Sequence, residues 1–222
     1  MRLLALLLAL LPVGHSVDGR ALRPVVLGSP AAAHRVLVVG CIHGNETAGI
    51  AIVRRLIATG APPGAEIVAV TSVNPDGCAR GTRQNAHGVD LNRNFPSNWE
   101  RIGRPGSVQY SGPYPLSEPE SRYSVALIER LRPQITIWFH QQQGFVRAWG
   151  QSVQTARRFA QLALYPYRSV EWPFGTASNW QNHRFRGTAS FVVELPPGAV
   201  PPTRVERWVR AIRRLAVEGY RR

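Results

Sequence analysis

Four short apolar runs, rich in β-branched residues, constrain this chain more than any other feature. They are RVLVVG at Arg35–Gly40, EIVAVTS at Glu66–Ser72, QITIWF at Gln134–Phe139 and ASFVVEL at Ala189–Leu195. Continuous apolar runs of this length read as strands buried on both faces. Helical spacing lies between them. Ile50, Val53 and Ile57 recur at three and four residues within Glu46–Thr59, and Gly60 ends the pattern. Strand, helix, strand in that order is a βαβ unit. Ser117 opens another helix, with Ser117 and Glu120 spaced as a capping box and Pro119 in the first turn. Its apolar side carries Val125, Leu127, Ile128 and Leu131. Ser152–Ala163 and Thr203–Glu218 are the remaining helices, the last with Trp208, Val209, Ile212 and Leu215 on one side. The pattern predicts one α/β domain: a mixed, mostly parallel twisted sheet with helices on both faces. Residues 73–116, rich in Asn, Gly, Pro and Arg, read as a long loop, and so long a loop in a compact domain is usually functional.

The 222 residues, 44% hydrophobic, suffice for one sizeable core. The net charge of +14 invites a nucleic-acid partner. That reading is set aside, because all 27 basic residues are Arg and they are dispersed, without an aromatic-interleaved basic block. A uniform Arg-for-Lys choice looks like composition bias, and an anionic cell envelope fits the charge as well. At the N-terminus, Arg2 precedes an apolar run from Leu3 to Leu11 closed by Pro12. This resembles a secretory leader and is too short to span a bilayer. The expected organisation is a leader over 1–14 and a catalytic domain over 15–222, in an exported monomer with no stable membrane span. Cys41 and Cys78 fit no zinc ribbon and no disulfide scaffold. Two buried free thiols are expected, with a single disulfide as the alternative.

The chemistry-bearing residues sit at the ends of the predicted strands. His43-Gly44-Asn45-Glu46 follows RVLVVG almost immediately. Ligands in α/β sheets gather beyond the carboxyl ends of strands. A catalytic zinc takes three protein ligands and keeps one position open. His140, directly after the third run, supplies the third donor, so His43, Glu46 and His140 are read as ligands of one Zn2+. Glu194 lies inside an otherwise apolar strand, where a carboxylate is costly unless paired or functional. It is read as a general base for water at the metal, against the alternative of a structural ion pair. The long loop gathers Arg83, Asp90, Asn92 and Arg93, and arginine offers a planar fork to carboxylates and oxyanions. His15, His34 and His87 are read as non-ligands, and His183 as a loop residue bonded to backbone rather than a substrate contact.

The segments HGNE at 43–46, NPDG at 74–77, GVDLNRNFP at 88–96, SEPE at 117–120, FHQ at 139–141 and FVVELP at 191–196 resemble the zinc carboxypeptidase A-like metallopeptidase family, and stand in that family's order. The likeness runs from Ser16 to about Gly198. The form GTRQNAHGVDLNRNFP looks most like the family's bacterial murein-peptide amidase branch, which hydrolyses the γ-D-glutamyl–diaminopimelate bond. The resemblance implies that His43, Glu46 and His140 bind zinc and that Asp90 orients the first histidine. It implies that Arg83 stabilises the oxyanion, that Asn92 and Arg93 hold the substrate's terminal carboxylate, and that Glu194 is the catalytic glutamate. It also shows a departure. Carboxypeptidases of the family carry a mobile Tyr about twenty residues before the catalytic Glu, and residues 171–180 read EWPFGTASNW.

The expected activity is hydrolysis of a peptide or isopeptide amide bond, in murein or other short peptides. Two alternatives stand beside it: a zinc deacylase of the aspartoacylase or succinylglutamate desuccinylase type, and a pseudoenzyme that binds peptidoglycan peptides without cutting them.

Overall fold

A computed structural model describes residues 11–221. Strands β1 (Gly14–His15) and β2 (Ala21–Leu22) form a small antiparallel hairpin. The remaining strands are β3 (Val25–Gly28), β4 (His34–Val39), β5 (Ala65–Val70), β6 (Ile135–Gln141), β7 (Val146–Ala148), β8 (Tyr167–Ser169) and β9 (Ala189–Leu195). They make one sheet in the order β3-β5-β4-β6-β9-β7-β8. The central strands β5, β4, β6 and β9 are mutually parallel, while β3 and β7 pair antiparallel to β5 and β9. The helices are α1 (Ala48–Thr59), α2 (Pro75–Arg80), α3 (Pro119–Leu131), α4 (Val153–Ala163), α5 (Ala177–Arg184) and α6 (Pro202–Glu218).

Alternation along the strands sorts the layers. On β6 and β9, Phe139 and Phe191 face one way. Gly49 of α1 packs on the Phe139 side chain, and Phe159 of α4 lies 5.5 Å from the Phe191 ring. Trp138 and Ser190 face the other way, where Trp138 Nε1 donates to Ser190 Oγ and Ser190 Oγ to Ser178 Oγ of α5. His140 and Glu194 continue that second row, because side chains repeat on one face every two residues. The mixed, mostly parallel sheet with helices on both faces is the expected α/β architecture. Among the described residues no helix is long and apolar enough to cross a membrane.

Several expectations needed correction. Residues 73–116 are not a bare loop: they include α2 and a 3-10 turn at Leu91–Arg93. α2 is entered by Asn74, whose side chain accepts from Gly77 N. Ser117 and Glu120 do not form a capping box. The residue before α3 is Glu118, with no side-chain cap, although Pro119 does occupy the first turn. The SEPE side chains bond elsewhere: Glu118 and Glu120 both accept from Asn85 Nδ2, at 2.7 and 3.0 Å, and Ser117 Oγ accepts from Asn94 Nδ2 at 3.0 Å. Long-range bonds to the functional loop have displaced the local cap. Helix α1 starts at Ala48, so Glu46 precedes it. The proposed leader falls mostly on residues 1–10, outside the described residues, while Gly14 already belongs to β1, packed on Tyr123 of α3.

Candidate metal centre and active-site cleft

The three ends β4, β6 and β9 point their carboxyl termini at one spot, and the chain turns there are tight. After β4 the backbone runs through Gly40 to His43. A Cβ on Gly44 would lie 1.9 Å from the Gly77 carbonyl carbon, so only glycine lets this loop press against α2. A Cβ on Gly49 would likewise meet the Gly40 carbonyl oxygen at 2.2 Å. These contacts, with Glu46 N donating to His43 O at 2.9 Å, fold Glu46 back beside His43.

His43, Glu46 and His140 form the one cluster of metal-type donors among the described residues, and all three are buried. His43 Nδ1 and His140 Nδ1 are 3.1 Å apart, and each is 3.0 Å from Glu46 Oε2. A tetrahedral zinc with bonds of about 2.0–2.1 Å separates its ligand atoms by about 3.3 Å, close to this triangle. The donor set fits in a second respect. His43 Nε2 lies 3.0 Å from Asp90 Oδ1, which fixes the tautomer that leaves Nδ1 as a lone-pair donor. Two imidazole nitrogens and a carboxylate oxygen converging to within 3.1 Å of one another are what a cation between them would hold together.

Charges around the cluster are heavily shifted. Burial disfavours the ionised form of Glu46, but hydrogen bonds from His140 and His43 overcome it and hold the carboxyl far below the usual range. Asp90 is also buried, and the charge and hydrogen bond of His43, then the Arg83 charge, keep it ionised. Burial opposes the charged form of His43, and Asp90 more than compensates, raising its pKa.

A cleft of about 260 Å³ opens beside the cluster. Glu194 reaches it from β9, directly opposite His140 in the parallel register. Its Oε2 is buried and has no hydrogen-bond partner. The ion-pair alternative for Glu194 therefore fails on geometry, since no arginine bonds it among the described residues. Arg83 lines the cleft while Nη1 donates to Glu46 Oε1 at 2.9 Å and Nε to Asp90 Oδ2 at 3.0 Å. Asn92 lines the cleft, and its Oδ1 accepts from Ala177 N at 3.0 Å, which leaves the NH2 group as its donor. Arg93 Nη1 donates to Asn92 O, and burial lowers its pKa against the raising effect of Asp90. The structure thus brings together all eight residues expected at the site. His183 Nδ1 donates to Asn179 O inside α5, and His87 pairs with Glu118; neither lines the cleft.

Sequence reasoning missed three contributors. Gln141 N donates to Glu46 Oε2 at 3.1 Å while its side chain accepts from Ala48 N, locking Glu46 to the start of α1. Trp172 lines the cleft in the segment where a Tyr was sought; Tyr165 instead donates its hydroxyl to the Glu194 carbonyl, and neither Tyr165 nor Tyr167 lines the cleft. Arg147, on the three-residue strand β7, lines it too. Only the adjacency of Gln141 to His140 was a usable signal. Cys41 and Cys78 are both free, with sulfurs 2.9 Å apart, and Cys78 is only partly buried, against the expectation of two buried thiols.

A mostly parallel α/β sheet with two histidines and a glutamate at the carboxyl edge of its central strands, a fourth side open to a cleft and a carboxylate with an unpartnered oxygen lining it, defines a mononuclear metallohydrolase-type site. The chain belongs to the zinc carboxypeptidase family, whose sequence profile matches residues 6–185. That match ends before β9, so Glu194 is placed by the sheet register. Murein peptide amidase A of Escherichia coli K12 is 37% identical over 144 residues, covering 58% of this chain and 60% of that protein. Murein peptide amidase A of Vibrio campbellii is 31% identical over 178 residues, covering 73% and 70%. The chain thus spans about 60% of the length of the first relative. The crystal structure of murein-tripeptide amidase from Escherichia coli O157 superposes with a TM-score of 0.73 at 28% identity, covering 92% of this chain and 89% of that one.

Proposed function

We propose that this protein is an exported zinc-dependent amidase that cleaves a peptide or isopeptide bond in cell-wall murein peptides. The observation that carries the reading is Glu194, a carboxylate that lines the cleft in register with His140 and whose buried Oε2 has no hydrogen-bond partner. His43 Nδ1, Glu46 and His140 Nδ1 would hold one zinc ion. When bound, that ion would supply Lewis acidity, lowering the pKa of a water and polarising the scissile carbonyl.

The chain's own groups divide the remaining work. Glu194 takes the proton of the attacking water as its oxygen bonds the carbonyl carbon. It then passes that proton to the amide nitrogen as the C–N bond breaks, so the leaving residue departs as an amine. Arg83, held in place by Glu46 and Asp90, presents its remaining donors to the developing oxyanion. Asn92 and Arg93 hold the carboxylate of the leaving residue. Asp90 keeps the His43 ring in its metal-binding tautomer.

Support for murein peptides comes from the names of the relatives and from the arginine-lined cleft, which suits an anionic peptide. The test is hydrolysis of L-Ala-γ-D-Glu-diaminopimelate by the purified protein, followed by product chromatography. Turnover should vanish on thorough chelation and return with zinc. Turnover that survives metal removal overturns the mechanism. Export rests on the Arg2 and Leu3–Leu11 pattern. N-terminal sequencing of protein recovered from the cell envelope should begin near His15, and recovery of intact chain from the cytosol alone would refute it.

A further inference from the structure

Arg147 is a cation that the proposed hydrolysis leaves unused. Its strand β7 pairs antiparallel with β9, and Arg147 stands opposite Val192. Directly opposed residues in an antiparallel pair share a face, so Arg147 rises on the same side as Val192 and, two residues on, Glu194. All three line the cleft. The guanidinium has two neighbours in the 171–172 segment: Nη2 donates to the Glu171 carbonyl, and the Trp172 ring centre lies 5.6 Å from Cζ. Of the five N–H donors a guanidinium carries, the Nη2 bond uses one. Nε is buried with no partner, and a buried donor without a partner calls for a ligand or an ordered water. No carboxylate bonds Arg147 among the described residues, whereas Arg83 is held by two. Burial lowers the Arg147 pKa; the nearby charge of Glu194 raises it and that of Arg93 lowers it further, so Arg147 lies within electrostatic reach of both groups. Three guanidinium groups and two carboxylates, Glu46 and Glu194, line the cleft. A metal cation would widen that imbalance.

We propose that Arg147 is a specificity-determining residue that binds a second carboxylate, carried on the side chain of the residue that leaves as the amine. The inference rests on the amidase reading above and adds to it the residue that would select such a leaving group. The leaving residue bears two carboxylates, one held by Asn92 and Arg93 and one by Arg147. A planar fork with free N–H groups is suited to a carboxylate, and such charge-assisted bonds are among the stronger ones.

The test compares two tripeptides on zinc-loaded protein, L-Ala-γ-D-Glu joined either to meso-diaminopimelate or to L-lysine, which lacks only the distal carboxylate. Wild type should favour the diaminopimelate peptide by about 30-fold or more in kcat/KM. Arg147→Gln should bring the ratio close to one by raising KM far more for that peptide than for the lysine peptide, and Arg147→Lys should restore part of the preference. Zinc content and thermal midpoint report whether the variants are folded. Equal losses on both peptides, or an unchanged ratio, overturn the proposal. Where Arg147→Gln does not fold, inhibition of wild type by the two free amino acids decides: equal inhibition constants overturn it, and tighter binding of diaminopimelate upholds it. Failure of wild type to cut either peptide refutes the amidase reading instead, and equilibrium binding of the same two amino acids then judges Arg147 separately.

Discussion

In the strand Ala189–Leu195, Glu194 is the one acidic side chain, and it keeps a buried oxygen without a partner. Folding alone gives no reason to retain it, since a buried unsatisfied group costs stability. Glu194→Gln, which preserves shape and removes the base, should therefore lower kcat by about 10²–10⁴-fold without lowering the thermal midpoint or the zinc content. Steady-state kinetics beside metal analysis checks this, and a wild-type kcat in the variant removes Glu194 from the proton transfer. Asp90 acts one step away. It is fully buried and bonds both His43 and Arg83. Asp90→Asn should weaken zinc binding by about 10–100-fold, read by competition with a chromophoric chelator. Glu194 was legible in the sequence because it broke a local rule, and Asp90 because its segment resembled the family's motif. Arg147 broke none. It is one arginine among 27, in a strand of three residues, and only the register opposite Val192 shows which way it faces.

At the scale of the elements, the buried central strands and the long amphipathic helices were readable, because apolar runs and 3.6-residue spacing record burial directly. The short outer strands β3, β7 and β8 were not: they are three or four residues long, none is buried throughout, and they pair with strands distant in sequence. The supposed capping box failed for a related reason, since long-range partners at Asn85 and Asn94 outcompete the local bond. Helix α6 carries its own long-range tie. Its last residue, Glu218, receives two 2.7 Å bonds from Arg158 of α4, and others from Arg214 and Arg221. The Arg158 hydrogen bonds, opposed by burial and aided by Arg214, bring the Glu218 pKa down to about 2. A carboxyl depressed on folding stabilises the native state above its unfolded pKa of about 4.3, and that contribution fades as pH falls. Glu218→Gln should accordingly melt at a lower temperature than wild type at neutral pH. The gap should narrow below about pH 4.3 and close near pH 2. A gap that stays constant across that range would show that the α4–α6 ion pairs do not anchor the helix.

The molecule as a whole converts separations of up to about 150 residues into a site a few ångströms across. His43 follows β4, Glu46 precedes α1, His140 ends β6 and Glu194 ends β9, so the site exists only when the parallel strands are in register. Unfolding scatters these donors, and a metal that binds only the assembled triad must then stabilise the native state by linkage. Free zinc at 100 times its dissociation constant contributes about 2.7 kcal/mol, and for a domain of this size each kcal/mol moves the thermal midpoint by about 2–4 °C. Scanning calorimetry of chelated protein titrated with zinc should therefore show a rise of about 5–10 °C. His140→Ala should abolish that rise, while Glu194→Gln, which touches no ligand, should keep it. A zinc-dependent rise that persists without His140 would place the metal elsewhere on the protein, and the cleft would then have to be read without it.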